Sequence, residues 1–166
     1  MCEIVTFCLY NTDFWGYEFY SLTEEKIGSV VMVFPQSEQM QIESEHCHWS
    51  SWSDKWQTLA PGMYRLVLDN STGEEVYRLI YRSSGEYLLK TEDGRIMTVE
   101  IQDDRFCFRE NGGLLLATTE RIQQAGYRPR INRCMDVEAR FKTTFQGEVT
   151  EKEVMMVLSF PTLKLI

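Results

Sequence analysis

The sequence predicts an all-antiparallel β protein, a barrel or strongly curled sheet, with one mostly buried helix near residues 150–160. Three observations carry this expectation. Glycine-punctuated hairpins fill the middle of the chain, between Tyr64 and Ile122. The flanks of those turns alternate between apolar and polar side chains, the period-2 signature of a sheet with one dry and one wet face. A capped segment, apolar nearly all round beyond its cap, follows at Thr150–Phe160.

The N-terminal third contributes three segments that read as strands, EIVTFCLY, SVVMVF and MQIESEHCHW, with Gly28 and Pro35 bracketing the second. Thr23–Lys26 fits either a short helix or an exposed turn. The middle is more regular. YRLVLDNSTGEEVYRLIY pauses at Asp69–Gly73 and resumes near Val76, a hairpin with a glycine-containing loop. YLLKTEDGRIMTVEI turns at Glu92–Gly94 and FCFRENGGLLLATTERI at Asn111–Gly113. Asp-Gly and Asn-Gly supply the positive φ that tight hairpin turns need. The glycines at 73, 94 and 112 stand 21 and 18 residues apart, a weak repeat of one hairpin per period. Ile96, Thr98 and Glu100 are expected on one face, and Met97, Val99 and Ile101 on the other. Phe106 and Phe108 likewise oppose Cys107 and Arg109. Many short antiparallel strands with wet outsides point to a barrel or sandwich.

Helix is expected from Thr150 onward. Thr150 and Glu153 have capping-box spacing, and Glu151 and Glu153 complement the positive end of the helix dipole. VMMVLSF could also form a buried strand, but the cap favours helix. Being apolar nearly all round, that helix should be buried on most sides, with Pro161 stopping or bending it.

Hairpins such as LDNSTGEEVYRL, KTEDGRIMTVEI and RENGGLLLATTERI, followed by TEKEVMMVLSF, resemble the tubby C-terminal-like superfamily, which includes the LURP-one-related and phospholipid scramblase families. The resemblance spans about residues 61–166. It implies a single domain over 1–166, a closed antiparallel barrel of about twelve strands around a hydrophobic helix, with residues 1–60 supplying the remaining strands. It also implies an occupied lumen, so that function moves to the loops and outer surface. Tubby-like domains are associated with phosphoinositide-bearing membranes, and scramblase-like proteins with lipid and calcium. The strong acidity of this chain departs from the lipid-binding members. No catalytic residues carry over, and no EF-hand-like loop is present.

Composition narrows the function classes. The 166 residues are 43% hydrophobic and carry a formal net charge of -8. That charge argues against non-specific nucleic-acid binding, which rests on phosphate neutralisation. Residues 1–60 hold nine acids and two bases, a net -7, so most of the excess lies there. Five widely spaced cysteines, with no CxxC pair, suit a reducing compartment rather than a disulfide framework. The start lacks a signal-peptide pattern, and no apolar run is long enough to span a bilayer. A cytoplasmic protein is the expectation.

Three clusters remain as candidate sites. His46, Cys47 and His48 are the right types for a transition metal. In a strand, however, the two histidines share a face while Cys47 points away, so Glu43, Glu45 or Asp54 would have to complete the ligand set. The plainer reading is a polar strand end leading into a turn, with no metal or cofactor. Trp49, Trp52 and Trp56 have the spacing of one face of a short helix and could cap the barrel or grip a partner. Residues 121–142 carry six basic and two acidic side chains, net +4. Within them Arg128, Arg130 and Arg133 could hold anionic headgroups or other phosphates. The plainer reading is that they pair with the acidic N-terminal third within the fold. No nucleophile motif, P-loop or dinucleotide fingerprint occurs. The resulting expectation is a non-enzymatic binding or scaffold module acting through its outer surface, on a protein partner or a second copy of itself. Phospholipid or phosphoinositide headgroup binding is the alternative. A lipocalin-like small-ligand barrel would require an open cavity, and a metal-dependent enzyme a cleft holding His46 or His48.

Overall fold

The computed structural model describes residues 2–11, 14–33, 39–52, 60–103, 105–111, 113–122 and 136–163. Twelve strands run in sequence order: β1 (Cys2–Asn11), β2 (Phe14–Ser21), β3 (Lys26–Val33), β4 (Gln39–Ser44), β5 (His48–Trp52), β6 (Tyr64–Asp69), β7 (Glu75–Ser83), β8 (Glu86–Thr91), β9 (Ile96–Gln102), β10 (Arg105–Glu110), β11 (Leu114–Arg121) and β12 (Asp136–Phe145). Each pairs antiparallel with its chain neighbours. β12 then pairs with β1, from Cys2↔Phe145 to Tyr10↔Asp136, and closes the barrel. Closure leaves no unpaired sheet edge, the feature that otherwise invites edge-to-edge association.

The turns follow the expected chemistry. Gly73 and Gly94 hold φ of 73° and 88°, in the left-handed region where a side chain would be strained. Of Thr23–Lys26, Thr23 and Glu24 lie in a turn, where the Glu24 amide donates to the Ser21 carbonyl, and Lys26 opens β3. Two features of the N-terminal third differ from the sequence reading. FWGYEFYS forms β2, a strand whose apolar residues fall on both parities. MQIESEHCHW is two strands, because the chain reverses at Glu45–Cys47, where the Ser44 amide donates to the Cys47 carbonyl.

The α-helix α1 (Glu151–Leu163) lies inside the barrel. Met155 to Phe160 are all buried, whichever way they point, as an apolar rod within a ring of strands requires. A twelve-stranded barrel is too wide to be filled by its own inward side chains. Here Val30, Ile42, Val67, Leu79, Leu89, Val99, Phe108 and Phe145 point in and meet the helix core. Phe160 packs edge-on against Tyr87, Phe106 and Phe108, with ring centroids 5.3, 5.4 and 5.6 Å away. One of the helix's two buried hydroxyls, that of Ser159, is satisfied within the core. Ser159 donates to the Met155 carbonyl at 2.6 Å and accepts from the Tyr77 phenol at 3.0 Å. Burial pushes that phenol's pKa up, which keeps it a donor.

Gly28 makes this packing possible. A Cβ there would sit 2.5 Å from the Glu43 carbonyl oxygen and 3.0 Å from the Met155 methyl carbon. The helix also runs two residues past Pro161 instead of stopping there. Proline has no amide to bond the Val157 carbonyl, so this turn lacks one backbone bond.

Candidate interaction surface

The helix is fastened at both ends. At its start the Glu153 amide donates to the Thr150 hydroxyl at 3.2 Å, as a cap should. The reciprocal half of the capping box is redirected. The Glu153 carboxylate takes the Thr150 hydroxyl at 3.1 Å and the Arg95 guanidinium at 3.3 Å, and Arg95 also binds Glu110 at 2.8 Å. Glu151 grips the β4–β5 turn. It accepts from the Ser44 hydroxyl at 2.8 Å and the His46 amide at 3.0 Å, and its second oxygen lies 2.9 Å from His46 Nδ1. These bonds, the His46 amide first, hold its carboxyl below the usual range.

At the other end Arg65 does what no residue of the last helical turn does. Buried on β6, it donates through Nε to the Ser51 hydroxyl at 2.8 Å and through Nη1 to the Leu163 carbonyl at 3.0 Å. A cation thereby meets the negative end of the helix dipole. Desolvation pulls its pKa down to about 10. Nη2 and the Thr162 hydroxyl are buried without a partner among the described residues.

The histidine pair does not converge on a metal. His46 sits exposed in the turn against Glu151, while His48 opens β5 and binds Glu43. That bond raises the pKa of His48. Cys47 between them is buried, and desolvation lifts its thiol. Among the described residues no group of three such ligands comes together.

The tryptophan helix is overturned. Residues 48–52 are strand, so Trp49 and Trp52 point to opposite sides of the barrel wall. Trp49 is 3% exposed and stacks edge-on with Tyr77 at 5.8 Å, whereas Trp52 is 61% exposed. A partner face therefore cannot include Trp49. Trp56 lies outside the described residues, as do Arg128, Arg130 and Arg133.

The outer wall offers a surface that the sequence reading missed. β6 carries Arg65 and Val67 inward, so Tyr64 and Leu66 face out. Register continues one row from Tyr64 to Ile80 on β7 and Leu88 on β8. The next row runs from Leu66 to Arg78 and Lys90. Trp52 follows Ser51, which pairs with Val67, and so stands beside Leu66. Arg78 lies 4.7 Å over the Tyr64 ring and pairs with Glu75. The signal was present in YRLVL, RLIY and YLL, which are apolar on both parities.

No family model, curated protein or solved structure matches the chain. Among the described residues no helix is long and apolar enough to cross a membrane.

Proposed function

We propose that this chain is a non-enzymatic binding or scaffold module that engages a protein partner through its outer wall. The observation that carries the reading is the filled lumen: α1 occupies the space where a lipocalin-like barrel would hold its ligand. The partner face is the Trp52, Tyr64, Leu66, Ile80 and Leu88 patch, flanked by Arg78 and Lys90. Large apolar groups pointing out from a barrel wall, with an aromatic anchor and arginine beside it, have the composition of an interface centre. The closed twelve-stranded barrel around a near-terminal helix supports kinship with the tubby C-terminal-like superfamily, and the unpaired thiols of Cys47 and Cys107 suit a reducing, cytoplasmic setting.

The test places a photo-crosslinking residue at position 64 and compares the wild type with Trp52→Ser and Leu66→Ser. A discrete protein adduct, lost in both variants, supports the reading. An adduct between two copies, matched by a concentration-dependent dimer in sedimentation, would make the partner a second chain. Salt-sensitive binding to phosphoinositide vesicles that both variants retain would defeat the proposal in favour of headgroup binding.

A further inference from the structure

A second site lies at the barrel end where α1 enters. A pocket of about 210 Å³ opens between the β8–β9 hairpin and the first turn of the helix. Its floor is apolar, made by Leu89 and Met97 from the strands and Met156 from α1. These three are 1%, 4% and 2% exposed, so they belong to the rigid core. Its walls are charged and of opposite sign. Asp93 stands on the hairpin side and Lys152 on the helix side.

The other charges at the mouth are already committed. Arg95 is held by Glu110 and Glu153, and these three groups neutralise most of one another. Asp93 and Lys152 are different. The Asp93 Oδ1 accepts from the Thr91 hydroxyl and the Arg95 amide, yet the carboxylate forms no ion pair among the described residues. The Lys152 ammonium likewise has none. Lys152 is near enough to lower the pKa of Asp93, though its effect is smaller than that of Thr91 and the Arg95 amide. Two opposite charges thus line one pocket, on different elements, without pairing with each other. Lys152 also shares its wall with the positive end of the helix dipole.

We infer that this pocket binds a small zwitterion with an apolar body, the chemistry of a free aliphatic α-amino acid. Lys152 takes the carboxylate, Asp93 takes the ammonium, and the side chain rests on Leu89, Met97 and Met156. Size agrees with this. The volume equals about seven waters at about 30 Å³ each, and covalently joined atoms pack closer than waters. It is below the roughly 300–1,000 Å³ of sites for drug-sized ligands. A purely anionic ligand would meet Asp93 and Glu153, and a purely cationic one would meet Lys152 and Arg95. Only a molecule with both charges satisfies both walls.

Isothermal titration calorimetry on the full chain tests this with L-leucine, 4-methylpentanoate and 3-methylbutylamine. Leucine should bind at least about tenfold tighter than either single-headed analogue, the loss expected when one charge-assisted bond is removed. Asp93→Asn keeps the Oδ1 acceptor that the hairpin uses. It should weaken leucine about tenfold while leaving 4-methylpentanoate no weaker. Lys152→Met should weaken leucine and 4-methylpentanoate alike. Circular dichroism of each variant separates lost binding from lost fold. No heat with leucine at 10 mM (about 1,000 times a 10 μM ligand's Kd, a generous ceiling) overturns the inference. So does equal binding of all three probes, or leucine affinity indifferent to both substitutions in folded protein.

Discussion

Replacing Phe160 by alanine should unfold the protein more readily than any change on the barrel wall. Its side chain is 1% exposed and touches three aromatic rings edge-on. Truncating a buried phenylalanine costs about 3–5 kcal/mol, from lost transfer energy plus the cavity that remains. Neighbouring strands are tied on both sides in a closed barrel and cannot collapse into that cavity, so the upper half of the range applies. For a chain of this size the shift in Tm is roughly 8–20 °C. Phe160→Leu refines the argument. It keeps most of the buried area but forfeits the geometry of three ring pairs, each worth about 0.5–1.5 kcal/mol, and should cost about 1.5–4.5 kcal/mol, less than the alanine variant. Urea unfolding followed by far-UV circular dichroism measures both, with an unchanged m-value required. A loss below about 1 kcal/mol for Phe160→Ala would mean that the helix is not the filling of the barrel, and the case for an occupied lumen would go with it.

Gly28→Ala should destabilise by about 1–3 kcal/mol, and Met155→Leu should not rescue it, because the 2.5 Å clash is with the Glu43 backbone; equilibrium unfolding of the single and double variants decides. Arg65→Lys should cost about 1–3 kcal/mol in the same assay, since one ammonium cannot reproduce the fork that spans Ser51 and the Leu163 carbonyl. Burial, then the nearby Tyr81, lifts the Tyr87 phenol to about 12. The folded state therefore holds that proton more tightly than the unfolded one. Its contribution is complete below pH 10 and is lost as pH rises from 10 through about 12, while Arg65, lowered to about 10, acts in the opposite sense over the same range in wild type and variant alike. Tyr87→Phe should flatten the decline in stability measured between pH 9 and 12. Acrylamide quenching should distinguish Trp49 from Trp52: Trp52→Phe removes accessible emission, and Trp49→Phe removes shielded emission.

How much of this was legible depends on which physical rule each residue obeys. The hairpins at Asp69–Gly73 and Glu92–Gly94 were readable because their turn residues are demanded by local backbone geometry. Met97, Val99, Phe106 and Phe108 were readable because one face of their strands is wet. The helix was readable because Thr150 and Glu153 mark its start. Arg65 was not, because an inward arginine between Tyr64 and Leu66 reverses the polarity rule, and its reason lies 98 residues away at the Leu163 carbonyl. The split of MQIESEHCHW was hidden for a similar cause. Its turn holds neither glycine nor proline and is secured by Glu151 of the helix, through Ser44 and His46. The tryptophan spacing misled because periods of three and four are helical only if the segment is a helix, and pairing with β4 and β6 made it a strand.

These long-range bonds also explain why the two candidate sites sit where they do. A helix enclosed by twelve strands has its side chains committed to packing, so its body offers nothing to solvent. Its first turn is different. Glu151 and Glu153 are spent on anchoring the helix to the β4–β5 and β8–β9 hairpins, while Lys152 between them keeps its charge free beside the apolar floor. On the wall, inward polar Arg65 forces Tyr64 and Leu66 outward, and the register continues that outward row to the half-buried Ile80 and Leu88. The same buried cation that closes one end of the helix thus sets the parity of the exposed apolar face. Arg65→Lys should weaken the barrel without altering that parity, so partner capture measured on the folded fraction should survive it, whereas Leu66→Ser should abolish capture and leave the stability nearly unchanged.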